Sequence, residues 1–488
     1  MKLPSSAEIS DLTGSNGGAE RRTFLRSVGV LSVAAIAGCS DDDDSGSSPV
    51  STTGESPEPT ESSAPATPDL DPAAAERRAR DFLTLQGEGS FETAHGRLLP
   101  STATEFSVTD MENSWRQIVT ASGEFESVVE SEYREETDGA ALVTVETAFA
   151  RVRNTFQVVL TREGVRSYQL TAQEGYSWER PSYVDTSAFT ETTVTIDATA
   201  SCELGGTLAL PSGETQVPGA VIVHGSGPID RDGTFGPNKP YKELAWGLAS
   251  RGIAVLRYDK RSNACAVDLA DVTVDDVTTN DAVTAVEWLR SRAEVAADSV
   301  FAVGHSLGGA LAPRIATRDD RLAGLVMLAP GPARSLAETV LDQRRHLIEQ
   351  QDLSGSEREE ALADARDVAE QIRSLDIGDD EVLLGLGGRE YFRSLAEYDG
   401  PETAAESEVP LFVAQGDRDY QVTPDGDFSI WREALSDESN ARFERYDGLN
   451  HLFQDGTRPS TGAEYYDPDA VFARRVVEDI TAFVERHE

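Results

Sequence analysis

The chain has 488 residues, enough for two or three domains, with 43 Lys+Arg against 86 Asp+Glu and a formal net charge of −43. A surface so acidic repels polyphosphate and excludes a general nucleic-acid binder. The 39% hydrophobic content excludes a mainly disordered chain. Lysine is nearly absent: Lys2, Lys239, Lys242 and Lys260 are the four, and every other basic residue is Arg. Acid excess with so little lysine reads as a solvated, salt-adapted surface rather than as a metal or partner site.

The first 39 residues read as an address. Arg21-Arg22 precede Phe24-Leu25 and the apolar run Val28–Ala37. As a helix that run covers about 15 Å, half a bilayer core, and cannot span a membrane. Paired arginines before a short apolar run resemble a twin-arginine export signal, and Ile36-Ala37-Gly38-Cys39 is similar to a lipobox. These resemblances imply cleavage before Cys39, a lipid on its thiol, and a catalytic part held outside the cell on the membrane. Residues 40–71 run through Asp42-Asp43-Asp44 into Ser, Thr, Gly and Pro. They bury too little to offset ordering entropy, so a disordered stalk is expected. Cys202 and Cys265 are able to pair in an oxidising compartment, though two thiols define no framework. No Cys-x-x-Cys and no histidine pair at ligand spacing occurs, so neither a metal nor another cofactor is expected.

Residues 72–182 read as a small α+β domain. Asp71-Pro72 is a helix start, with Phe82 and Leu85 at helical spacing. Phe125–Tyr133 and Leu142–Phe149 alternate like strands around an Asp138-Gly139 turn, and Arg153–Leu160 and Val165–Leu170 add two more. The layout is similar to an accessory domain of unknown function found upstream of some secreted hydrolases. Its one histidine, His95, has no catalytic company. Residues 186–488 change pattern. Continuous apolar runs at Ala220–Val223, Ile253–Leu256, Val300–Val303, Leu325–Leu328 and Leu411–Ala414 alternate with helical stretches such as Ala282–Leu289 and Val471–Val484. This predicts a doubly wound α/β domain, whose site lies at the carboxyl ends of its strands.

Gly304-His305-Ser306-Leu307-Gly308 falls between a predicted strand and a predicted helix. The glycines let strand and helix approach closely, and the sharp turn presents the Ser306 hydroxyl with the Leu307 N–H beside it. Serine needs a base. Of the six histidines, His95 is in the other domain, His305 adjoins the nucleophile, His346 is in a helix, His487 is in the tail and His224 lies upstream. His451 remains, just past the strand-like Arg442–Tyr446. Asp417 and Asp419, in the loop after Leu411–Ala414, both qualify to orient it. The turn His224-Gly225-Ser226-Gly227-Pro228 offers the N–H of Ser226, or of Gly227, as a second oxyanion donor with Leu307.

These segments, with Asp230-Arg231-Asp232, Gly236 to Pro240, Arg257 to Arg261, Gln415-Gly416 to Val422 and Gly448-Leu449-Asn450-His451, resemble the α/β-hydrolase superfamily. The nearest likeness within it is to secreted serine esterases that carry a small N-terminal accessory domain. The family pattern G-x-x-D-x-x-V, counted from Gly416 to Val422, selects Asp419, and the order Ser306, Asp419, His451 agrees with the family. The resemblance also implies that residues 330–408 form a helical lid. Ser335 with Glu338 and Ser356 with Glu359 read as its capping boxes. Tyr391 and Tyr398 are placed to line its underside and touch substrate, or to pack it on the core. Lys260 belongs to a lysine cluster (with Lys239 and Lys242) read either as substrate-related or as paired with Asp230, Asp232 or Asp259. The expected activity is hydrolysis of a small-molecule carboxylic ester. A serine peptidase, or a catalytically silent surface binder, is the alternative.

Overall fold

The computed structural model describes residues 71–135, 140–199, 202–213, 216–351 and 353–488. The expected export segment with Cys39, the expected stalk short of Asp71, and the expected Asp138-Gly139 turn lie outside the described residues. The chain folds as two compact units, the first ending at Tyr176 and the second running Ser177–Glu488.

In the first unit, helix α1 (Pro72–Gly87) starts as expected: Asp71 caps the Ala74 N–H at 3.0 Å and proline occupies the first turn. Helix α2 (Val108–Ser122) carries a Ser107–Asp110 capping box. Strands β1 (Phe125–Glu135), β2 (Ala141–Phe149), β3 (Arg153–Leu160) and β4 (Val165–Glu174) form an antiparallel sheet in chain order. Burial alternates strictly along β2, so one sheet face is covered. Trp115 of α2 anchors that core against Phe125, Phe149 and Phe156.

The second unit is a doubly wound α/β sheet of eight strands. They are β5 (Phe189–Thr199), β6 (Cys202–Pro211), β7 (Val217–Val223), β8 (Ala254–Tyr258), β9 (Val295–His305), β10 (Gly324–Leu328), β11 (Leu411–Gly416) and β12 (Ala441–Tyr446). The order is β12-β11-β10-β9-β7-β8-β6-β5. The pairs among β7 to β12 are parallel, and β5 and β6 close one edge antiparallel. Alternate strand residues enter different cores. Val221, Leu256, Ala302, Met327 and Val413 pack with helix α4 (Asn280–Arg290) and helix α5 (Leu307–Ala316). Ile222, Val255, Val303, Val326 and Phe412 pack with helix α3 (Pro240–Ala249) and helix α10 (Arg474–His487). Continuous apolar runs are what a sheet covered on both faces requires.

Between β10 and β11 the lid comprises α6 (Leu336–Glu349), α7 (Gly355–Ser374), α8 (Arg389–Ala396) and α9 (Gly400–Ala405). Ser335 caps α6 as expected. The second capping box sits two residues earlier than expected. Ser354 and Glu357 exchange bonds at 2.8 and 3.4 Å, which draws Ser356 into the first turn. The last helix also starts later than Val471. Ala473 is held extended, at φ −67° and ψ 125°, and serves as the N-cap, while the Phe472 N–H donates to Glu243 Oε2 at 2.6 Å and the Ala473 N–H to the Phe453 carbonyl at 2.9 Å.

Cys202, at the start of β6, and Cys265, beyond β8, form a disulfide with Cα atoms 6.0 Å apart across a sequence separation of 63. The closed loop contains β7 and its following turn. Replacing both cysteines by serine is expected to cost about 2–4 kcal/mol in denaturant unfolding of the oxidised protein. An unchanged midpoint would remove the bond from the fold's support.

Candidate active site

Strand register brings five loops to one rim. Val223 pairs with Gly304, His305 with Leu328, Leu328 with Ala414, and Gly416 with Tyr446. The chain therefore leaves β7, β9, β10, β11 and β12 at the same carboxyl edge. Ser226, Ser306, Asp419 and His451 all lie in the segments that follow.

Ser306 occupies a turn that most side chains avoid, at φ 55° and ψ −120°. The surroundings hold it there. Its N–H donates to the Leu328 carbonyl at 2.8 Å, and its own carbonyl accepts from Ala310 at 3.0 Å and Gly331 at 3.2 Å. A Cβ at Gly304 would fall on the Gly308 carbonyl, and one at Gly308 on the carbonyls of Val223 and His224. These close approaches are the reason for glycine on both sides of the serine. Because Ala310 makes the first backward bond of α5, the Leu307 N–H needs no intrahelical acceptor, and none is found for it among the described residues.

His451 Nδ1 donates to Asp419 Oδ2 at 2.7 Å, with both side chains buried. The carboxylate is fully engaged: Oδ1 accepts the N–H groups of Gln421 (2.8 Å) and Val422 (3.0 Å), and Oδ2 also accepts Gln415 Nε2 (2.9 Å). Asp417 faces elsewhere, accepting the Gly448 N–H at 2.8 Å and pairing with Arg458 at 2.9 Å. Among the described residues no hydrogen bond joins the Ser306 hydroxyl to His451.

The turn after β7 abuts the serine: a Cβ on Gly225 would lie 3.1 Å from Ser306 Cβ. Among the described residues neither the Ser226 nor the Leu307 N–H has a hydrogen-bond acceptor. His224 is buried, and burial followed by the nearby Lys260 pushes its pKa down to about 3, so it stays neutral and is no competitor for the proton.

A family profile described as serine aminopeptidase, S33, matches residues 236–455. Esterase EstD of Thermotoga maritima is 35% identical over 413 residues, covering 83% of this chain and 94% of the relative. The chain belongs to the α/β-hydrolase esterase family. Among solved structures, Est1E from Butyrivibrio proteoclasticus is 16% identical with a TM-score of 0.40, over 60% of this chain and 98% of that one. EstE1, a thermophilic carboxylesterase cloned from a metagenomic library, is 15% identical with a TM-score of 0.42, over 63% and 90%.

Within this hydrolase the three side chains expected at the substrate occupy packing positions. Tyr391 is 1% exposed, in a cluster with Leu307, Leu311 and Ile372 that seats the lid on α5. The Tyr398 hydroxyl donates to the Ala310 carbonyl at 3.0 Å, with Arg314 over its ring. Lys260 is 3% exposed and donates to the Gly225 carbonyl at 2.6 Å, beneath the turn that carries Ser226. Lys239 pairs with Asp232 at 3.0 Å, and Lys242 reaches the same carboxylate at 3.9 Å while lying over Trp178 and Trp246. Gln415, Tyr241 and His305 are polar, buried and bonded to the site; Gln415 and His305 lie within the sequence motifs but have no role assigned there, and Tyr241 lies outside them.

Two outcomes follow from this packing. Gly308→Ala has no room for its methyl, so unfolding stability is expected to fall by about 1–3 kcal/mol with loss of Ser306 reactivity; a stable, reactive variant would contradict the elbow geometry. Burial pushes the Lys260 ammonium from 10.5 down to about 7. Across that window the unfolded chain holds a proton that the folded chain has released, so rising pH stabilises the fold through this group. Lys260→Met is expected to flatten that part of the curve of denaturation midpoint against pH; an unaltered slope would contradict it.

Proposed function

We propose that this α/β-hydrolase is an extracellular, lipid-anchored serine esterase that cleaves small-molecule carboxylic esters through an acyl-enzyme. The observation that carries the reading is the buried 2.7 Å Asp419–His451 bond on the rim that also bears the strained Ser306. Ser306 Oγ attacks the ester carbonyl while His451 Nε2 takes its proton. The N–H groups of Leu307 and Ser226 receive the oxyanion. Collapse expels the alkoxide, which leaves as alcohol with the proton from His451. Water then adds to the acyl group, giving a proton to the same imidazole, and the acid departs as Ser306 recovers its hydrogen. Asp419 keeps the imidazole in the tautomer that exposes Nε2 as acceptor.

The location rests on Arg21-Arg22 and the Ile36 to Cys39 segment, with lipidated Cys39 as the membrane tether. The charge of −43 suits a concentrated salt medium, where dense carboxylates are screened. The aminopeptidase description of the matching profile favours peptide bonds as a second reading, because the same triad serves both leaving groups. Parallel assays of p-nitrophenyl esters and aminoacyl anilides, at high and low salt, separate the two. A silent binder would leave a fluorophosphonate probe unreacted.

Ser306→Ala is expected to reduce ester turnover to background and abolish probe labelling while the protein stays folded. Asp419→Asn is expected to lower kcat by about 10³–10⁴-fold, and Asp417→Asn by less than about threefold, in ester assays. The opposite ranking of the two aspartates would overturn the assignment.

A further inference from the structure

Tyr241, in the first turn of α3, and His305, the last residue of β9, approach each other beneath the rim. They are 4% and 6% exposed, and Ile222, Leu244, Leu328 and Phe472 enclose them. Three hydrogen bonds run through the pair. The Gly225 N–H lies 3.2 Å from Tyr241 Oη, Tyr241 Oη lies 3.0 Å from His305 Nδ1, and His305 Nε2 lies 2.9 Å from the His451 carbonyl.

The directions are forced. A carbonyl only accepts, so Nε2 of His305 carries the hydrogen. Burial, followed by the neighbouring His451, pushes the pKa of His305 down to about 3, so the ring is neutral and its Nδ1 is an acceptor. The Tyr241 hydroxyl therefore donates to Nδ1, and its lone pair takes the Gly225 N–H. The result is one unidirectional chain, from Gly225 through Tyr241 and His305 to the backbone of His451. It joins the oxyanion turn, the elbow and the base loop, which are distant in sequence.

We infer that Tyr241 and His305 are positioning residues that fix the Ser226 donor and the His451 imidazole in a single geometry around Ser306, without touching substrate. This rests on the triad proposed above. An oxyanion donor acts only when aimed at the developing charge, so loosening the turn weakens the transition state more than the ground state.

The test uses the full chain and steady-state ester hydrolysis. Tyr241→Phe keeps the packed ring and removes one oxygen; His305→Leu removes both ring nitrogens. Each is expected to lower kcat by about tenfold with KM within about twofold, and the double variant to be no slower than the worse single one. His305→Gln offers an acceptor and a donor at similar separation and is expected to retain kcat within about threefold. A folded Tyr241→Phe enzyme with unchanged kcat, or losses that multiply in the double variant, would overturn the inference. Should Tyr241→Phe not accumulate as folded protein, equal kcat values for His305→Gln and His305→Leu would overturn it as well. Ser306→Ala separates this result from the proposal beneath it. If that variant still turns over ester, the triad itself fails; if it is silent while Tyr241→Phe is normal, only the relay fails.

Discussion

The site depends on the register of six parallel strands. Because alternate residues of each strand are committed to different cores, a one-residue slip between β9 and β10 would move Val303 and Val326 out of the face they share with α10 and expose a whole row. Burial on both faces therefore locks the register, and the locked register aligns the carboxyl ends. The proposed triad then needs only short segments beyond those ends. Ser306 comes one residue after β9, Asp419 three after β11 and His451 five after β12.

Polar groups under that rim are bonded in ways that leave few alternatives. Asp419 accepts four hydrogen bonds from three neighbours and His451, so its carboxylate is fixed before any substrate arrives. Away from the rim, the buried Asp281 and Asp319 pair with Arg261 and Arg290, the partly buried Glu464 pairs with Arg418, and the buried Glu243 is held instead by the Trp178 and Phe472 N–H groups. A planar fork matches a carboxylate better than an ammonium does. The four-lysine composition is thus matched by an interior whose ion pairs are mostly made by arginine.

What was legible in the sequence follows from local physics. Continuous apolar runs gave the central strands, and Gly304 and Gly308 marked the elbow because backbone crowding there admits nothing larger. Asp419 and Asp417 are chemically equal candidates, separated in the sequence only by the family pattern that selects Asp419; the loop's fold aims Asp419 at the imidazole and Asp417 at Arg458. The start of α7 was misplaced because two Ser-x-x-Glu patterns overlap at Ser354 and Ser356, and the helix uses the first. The lysine cluster left Lys260 as either substrate-related or paired with an aspartate, and spacing could not show that it is buried against the Gly225 carbonyl. The Tyr241–His305 bond spans 64 positions and exists only once α3 and β9 are docked, so no spacing rule could have named it.

The most direct measurement is a crystal structure of the protein inactivated by a p-nitrophenyl alkylphosphonate, a tetrahedral mimic of ester attack. The account predicts phosphorus bonded to Ser306 Oγ, one phosphonyl oxygen within about 2.7–3.1 Å of both the Leu307 and Ser226 N–H groups, and His451 Nε2 turned to the adduct. An adduct on another residue, or an imidazole still out of hydrogen-bond reach of it, would contradict the account.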